Sequence, residues 1–209
     1  NDGAPGGWPP RADGKALPMT QALLIRDAHL LDPASGTLSD RSWMEISEGM
    51  IADSGTGTPP SPGADTRVID AAGATVMPGL VDAHVHLILT TFDLVDAASW
   101  TAGYSTVRAL AEAGRMLRRG FTTVRDVGGA DWGMARALDE GLAVGPRLVC
   151  GGKALSQTGG HGDLRARGDE RLPCCQTRPD FARIADGIEA VRHAARDEFR
   201  NGASHLKML

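Results

Sequence analysis

The rhythm of apolar and polar positions changes near residue 79. Before it, apolar residues come in short runs bounded by turn formers. Residues 22–31 form a mostly apolar, strand-like run closed by Asp32-Pro33, a turn signal. Residues 43–46 form a second short strand, Glu48-Gly49 a tight turn, and residues 50–52 the return, which together predict a hairpin. A loop of Ser, Gly, Thr, Pro and Asp fills residues 54–66, and a further strand covers 67–70. Gly73 allows a turn before a last run at 74–77. Short strands with this punctuation predict a small β-sandwich over residues 21–79. Residues 1–20, rich in Gly, Pro, Asp and Ala, read as a flexible arm.

After Pro78-Gly79, strand-like and helix-like stretches alternate. Residues 80–87 read as a buried strand carrying two histidines. A helix-compatible stretch spans about 101–119, with Val107, Leu110, Ala111 and Leu117 near one face and Gly120 as its stop. The β-branched run at 121–127 is a strand ending in Gly128-Gly129. A second helix is predicted over 132–140, a third strand over 147–150 and a Gly-rich loop over 151–171. Pro179 suits the first turn of a third helix running to about Arg200, and residues 205–209 look like a fourth strand. Helices that separate strands in this order imply a parallel sheet. A doubly wound sheet and a (β/α)8 barrel both fit. No GxGxxG turn follows the first strand, so the dinucleotide-binding version lacks support. A full barrel takes about 250 residues, so residues 80–209 supply about half of one.

Composition narrows the function classes. Hydrophobic residues make up 42% of the 209 and aromatics 4%, so aliphatic side chains must fill the core. With 26 acidic against 22 basic residues the net charge is −4, which argues against nucleic-acid binding. No apolar run approaches the roughly 20 residues that span a bilayer, and no signal peptide is visible. The chain begins at Asn1, so a removed upstream segment stays open. The three cysteines, Cys150, Cys174 and Cys175, form neither a secreted disulfide framework nor paired CxxC zinc spacing. A reducing, cytoplasmic compartment is the expectation. Cys150 ends a strand and reads as a small buried hydrophobe.

The chemistry concentrates in His84-Val85-His86, within MPGLVDAHVHL at residues 77–87. On a strand, residues i and i+2 face the same side, so both imidazoles can share one cation. Neutral imidazole suits zinc and similar metals. Two solvent-facing strand histidines would have the same spacing. The apolar strand around this pair favours the metal, because an unpartnered polar side chain there is costly. Arg125-Asp126 ends the second strand of this region, where either side chain could orient a substrate or the two could form an internal salt bridge. His29, His193 and His205 lack such context and read as structural.

The PGLVDAHVHL block closely resembles the first barrel-strand motif of the amidohydrolase superfamily. RVIDAAGATVMPGLVDAH resembles its entry into the barrel from an N-terminal β-sandwich. GFTTVRDVGG (120–129) and SQTGGHGD (156–163) are similar to a branch with imidazolonepropionase-like enzymes, Xaa-Pro and Xaa-Arg/Lys dipeptidases and ochratoxin-type amidases. The resemblance runs from about residue 22 to the end. It implies an α/β fold: a small β-sandwich followed by the first half, strands one to four, of a (β/α)8 TIM-type barrel. It further implies a hydrolase of amide or peptide-like C–N bonds that uses two divalent metals, zinc by expectation, and a metal-activated water. The substrate would be a small amide or a dipeptide-like molecule.

In binuclear members of that superfamily, a lysine at the end of the fourth barrel strand carries a carbamate formed from carbon dioxide, which bridges two metals. Lys207, in GASHLKML (202–209), matches that lysine. A lone lysine is ordinarily a solvated surface residue; beside the two metals that the resemblance implies, an ammonium would ligate nothing and repel the cations, whereas a carbamate is an anionic oxygen donor. The resemblance also puts His161 in an active-site loop, as a candidate substrate contact. The expected metal set is thus His84, His86 and Lys207, with His161, Arg125 and Asp126 as substrate-binding candidates. The superfamily's later ligands, two histidines and an aspartate from strands five, six and eight, have no counterpart in these residues. A complementary C-terminal half or second chain is therefore expected, as is a homo-oligomer. Two other readings remain: a mononuclear deaminase or imidazolone-type enzyme, and a non-catalytic subunit.

Overall fold

The computed structural model describes residues 21–170 and 181–209, and the chain divides into two units, Asn1–Pro78 and Gly79–Leu209. The flexible arm expected at 1–20, Cys174, Cys175 and Pro179 lie outside the described residues.

In the first unit, β1 (Leu23–Asp32), β2 (Thr37–Ser47) and β3 (Met50–Thr56) form an antiparallel meander. The turn between β2 and β3 is the one the sequence announces. Glu48 and Gly49 both take positive φ, 51° and 76°, as a two-residue hairpin matched to strand twist requires. The shorter β4 (Arg67–Asp70) and β5 (Thr75–Val76) both run parallel to β1 along its other edge. Leu24 and Ala28 of β1 are buried. The expected two-sheet sandwich is not what the described residues form. They make one five-stranded mixed sheet, because β1 pairs with β2 on one edge and with β4 and β5 on the other, while β3 adds to β2.

In the second unit, β6 (Leu80–Val85), β7 (Phe121–Asp126) and β8 (Arg147–Cys150) form a parallel sheet in that order. Helices supply the crossovers: α1 (Leu94–Ser99) and α2 (Ala102–Arg118) between β6 and β7, and α3 (Trp132–Asp139) between β7 and β8. Thr101 caps α2 by accepting the Tyr104 amide, and Asp131 caps α3 by accepting that of Met134. Leu87, Ile88, Met116, Val124, Met134 and Leu148 are among the residues that close the core between sheet and helices. Burying a side chain such as Leu148 stabilises by about 1.5–3 kcal/mol.

Four expectations change here. The buried face of α2 is Ser105, Ala109, Ala113 and Met116, while Val107 is 66% exposed. Small side chains let the helix sit close to the sheet, and of the expected larger residues Leu110 packs against that core. The strand expected at 80–87 ends at Val85 and is an edge strand, with Leu80 40% and Val81 65% exposed, while Leu87 beyond its end is buried. The Gly-rich stretch after β8 contains a fully buried strand, β9 (Ala154–Ser156), parallel to β10 (Ala182–Ile184). The last helix, α4 (Gly187–Arg200), therefore starts later than Pro179 suggests. Its N-cap residue, Asp186, makes no cap bond, because its carboxylate takes the Thr158 amide (2.9 Å) and hydroxyl (2.5 Å).

The fourth strand expected at 205–209 is reduced to one parallel bridge, Leu155–Met208. Leu155 donates its amide to the Lys207 carbonyl and accepts that of Leu209, both at 2.8 Å. Ser204 N–H reaches the Cys150 carbonyl at 2.8 Å. The segment thus runs from the end of β8 along β9.

Candidate functional site

Val85 pairs with Asp126, and the Val127 amide closes onto the Val85 carbonyl at 2.9 Å. The chain then leaves the sheet, and the histidines lie at that exit. The rings of His84 and His86 are 5.6 Å apart, centroid to centroid, and inclined at 66°, so the i, i+2 spacing does bring them together. His84 is exposed, and its amide is held by Asp82 at 3.1 Å.

His86 is more constrained. Its Nδ1 lies 3.0 Å from the Gly128 carbonyl, and its ring meets Phe181 edge-on at 6.3 Å. A carbonyl only accepts, so Nδ1 carries a proton, and in the neutral ring Nε2 then keeps its lone pair. Metal-binding histidines take this form, with the second ring nitrogen donating to a carbonyl or carboxylate. Gly128 is glycine for space: a Cβ there would lie 3.1 Å from the Phe181 carbonyl oxygen and 3.2 Å from His86 Cε1.

Asp126 is fully buried. Its Oδ2 accepts the Leu87 amide at 2.6 Å, and its Oδ1 accepts those of Gly128 (2.9 Å) and Ala130 (3.1 Å). Burial pushes its pKa up, opposed by those three amides. Its neighbour Arg125 is exposed and donates through Nε to the Ala83 carbonyl at 2.9 Å. The two side chains thus go to different partners, and the carboxylate serves backbone amides.

The remaining candidates are more dispersed. Lys207 is half-buried, beside β9 through its backbone. His161 is exposed in the turn after β9, where the Gly162 amide bonds Ser156 Oγ at 3.0 Å. His205 has both ring nitrogens buried without a hydrogen-bond partner, and burial, then the Arg125 charge, push its pKa down. Cys150 is buried, and burial raises its thiol to about 11, as suits a packed hydrophobe.

Two adjacent imidazoles, one with Nε2 left free, fit part of the coordination shell of a divalent cation. Among the described residues, no group of three or more His, Cys, Asp or Glu gathers to complete it. The sequence did not single out the Gly128 carbonyl or the amide-binding role of Asp126. The signal available was the glycine pair placed directly after a strand.

The sequence profile of the amidohydrolase family matches residues 75–208. This chain belongs to the amidohydrolase family. Ochratoxinase of Aspergillus niger is 34% identical over 151 residues, covering 64% of this chain and 30% of the enzyme. A prolidase crystallised with N-methylphosphonate-L-proline superposes with a TM-score of 0.83 at 40% identity, over 90% of this chain and 46% of the prolidase. A Xaa-Pro dipeptidase with methionine in its active site gives 0.72 at 27% identity, over 90% of this chain and 46% of the dipeptidase. The amidohydrolase chain thus spans about half the length of these solved relatives, with the same mixed α/β architecture. No helix among its described residues is long and apolar enough to cross a membrane.

Proposed function

We propose that this chain provides the first metal-binding residues of a hydrolase that cleaves amide or dipeptide-like C–N bonds. The observation that carries the reading is the His84–His86 pair with the His86 ring proton committed to Gly128. Family membership supports it, as do relatives named prolidase, Xaa-Pro dipeptidase and ochratoxinase.

His84 and His86 would hold a divalent cation, zinc being the expected ion and two the expected number. Lys207 would join them as a carbamate: its neutral amine attacks carbon dioxide, a C–N bond forms, and the proton leaves to solvent. The product is an anionic oxygen donor where an ammonium would repel cations. A bound divalent metal supplies carbonyl polarisation and a lower pKa for water. His161 and Arg125 are candidates to contact the substrate. Exposed Leu80 and Val81 on β6 support a further strand covering that edge, in cis or from a second chain.

The test is metal content and turnover of the intact protein. Elemental analysis should find divalent metal, and Xaa-Pro dipeptides or N-acyl amino acids should be hydrolysed. His84→Ala with His86→Ala should strip the metal and abolish hydrolysis. Full metal occupancy in that double variant would overturn the reading.

A further inference from the structure

Asp126 grips the backbone on both sides of His86 without touching the ring through its own hydrogen bonds. Leu87, whose amide binds Oδ2, is the next residue after His86 in the chain. Gly128, whose amide binds Oδ1, is the residue whose carbonyl takes the His86 ring proton. The amide of Ala130 adds a third bond and fixes the loop after β7. We propose that Asp126 is a positioning residue for His86, setting its ring orientation and tautomer so that Nε2 faces outward with its lone pair free. The inference rests on the reading of His86 as a metal ligand and deepens it.

Two physical arguments support this role. A carboxylate in an apolar setting is costly unless its oxygens are hydrogen-bonded, and three amide donors offset that cost here. A free imidazole exchanges its proton between two nitrogens, whereas a fixed carbonyl against one nitrogen selects a single form. The Gly128 carbonyl is an effective selector only if its peptide is held still. Asp126 holds it from the amide side, and through Leu87 it also holds the chain that carries the ring. The same carboxylate thus sets both ends of the His86–Gly128 bond.

The experiment is histidine nitrogen NMR on the intact, metal-free protein labelled with nitrogen-15, paired with zinc competition against a chromophoric chelator. His86 is assigned by the signal lost in His86→Gln. In the parent protein, His86 should be protonated on Nδ1 alone; protonation on Nε2 would overturn the proposal. Asp126→Asn keeps the size but turns one acceptor into a donor facing a backbone amide. It should move the His86 proton toward Nε2 and weaken zinc binding by about 10- to 100-fold. If Asp126 only ended the strand, thermal stability would fall while the tautomer and zinc affinity stayed as they were, and the proposal would be wrong.

Gly128→Ala is the second variant, for the case in which Asp126→Asn does not fold. It leaves the carboxylate in place and puts a methyl 3.2 Å from His86 Cε1, so the Nδ1–carbonyl bond should be displaced and the tautomer should change. An unchanged tautomer there would equally refute the link. The two readings fail separately. No zinc at a correctly protonated His86 would sink the metallohydrolase, whereas zinc binding indifferent to Asp126→Asn would sink only the positioning role.

Discussion

The buried carboxylate of Glu198 accepts the Lys153 amide at 3.0 Å, tying the last turns of α4 to the link between β8 and β9. Arg183 of β10 approaches the other Glu198 oxygen at 3.6 Å and pairs with Asp197 at 2.7 Å. One acidic pair near the end of α4 thus fastens the helix to β10 and to the chain entering β9. Glu198→Ala should destabilise the protein by about 1–3 kcal/mol by removing a buried acceptor. The check is the midpoint of urea unfolding. A change within error would mean that the bond contributes nothing net.

Lys207→Ala should remove most hydrolytic activity. Adding a short carboxylic acid should restore part of it, since the acid supplies the oxygen donors that the carbamate would have given. Lys207→Arg should show no such rescue, because its guanidinium stays charged and fills the space. Turnover and bound metal per chain, measured together, decide between a bridging lysine and a mononuclear enzyme.

Acid should act through Asp197. Hydrogen bonds first from Arg200, then from Arg183, hold its carboxyl down to about 2, against an ordinary 3.8. Its folded value is the lower one, so its stabilising contribution is complete above the ordinary value and disappears as pH falls toward 2. Denaturation of the parent and Asp197→Asn proteins should therefore show a gap that is constant above about pH 5 and narrows on acidification. A gap that widens toward low pH would contradict this assignment.

Cys150 should resist alkylation in the folded protein. Burial raises its thiol to about 11, and Cys150 is only 4% exposed, so little reactive thiolate is available at pH 8. Peptide mass spectrometry after iodoacetamide treatment should find Cys150 unmodified in native protein and modified once it is unfolded. Rapid native labelling would show that β8 opens readily.

Much of this was legible in the residues. Turn chemistry located the Glu48-Gly49 hairpin, and the β-branched FTTVRD run located β7. The i, i+2 spacing brought His84 and His86 together. Other features depend on tertiary partners that a local pattern does not reveal. β9 has only three residues and sits among glycines, so it becomes a strand through β10 and the Lys207–Leu209 backbone. The contact face of α2 was hidden because alanines pack it. Asp126 read as a substrate contact or the partner of Arg125 in a salt bridge, and only the fold turns it toward three backbone amides.

The His86–Gly128 bond joins residues 42 apart in the chain, and the parallel β6–β7 pairing beside it is non-local in the same way. Loop closure on that scale must precede any reward from the contact, so such pairings form slowly. The Glu48–Gly49 hairpin needs only neighbouring residues and belongs to the microsecond class. The fixed orientation of the His86 ring therefore depends on β7 having paired with β6. A nascent chain would carry both imidazoles from the moment residue 86 is made, yet present them as a fixed pair only once residue 128 has followed.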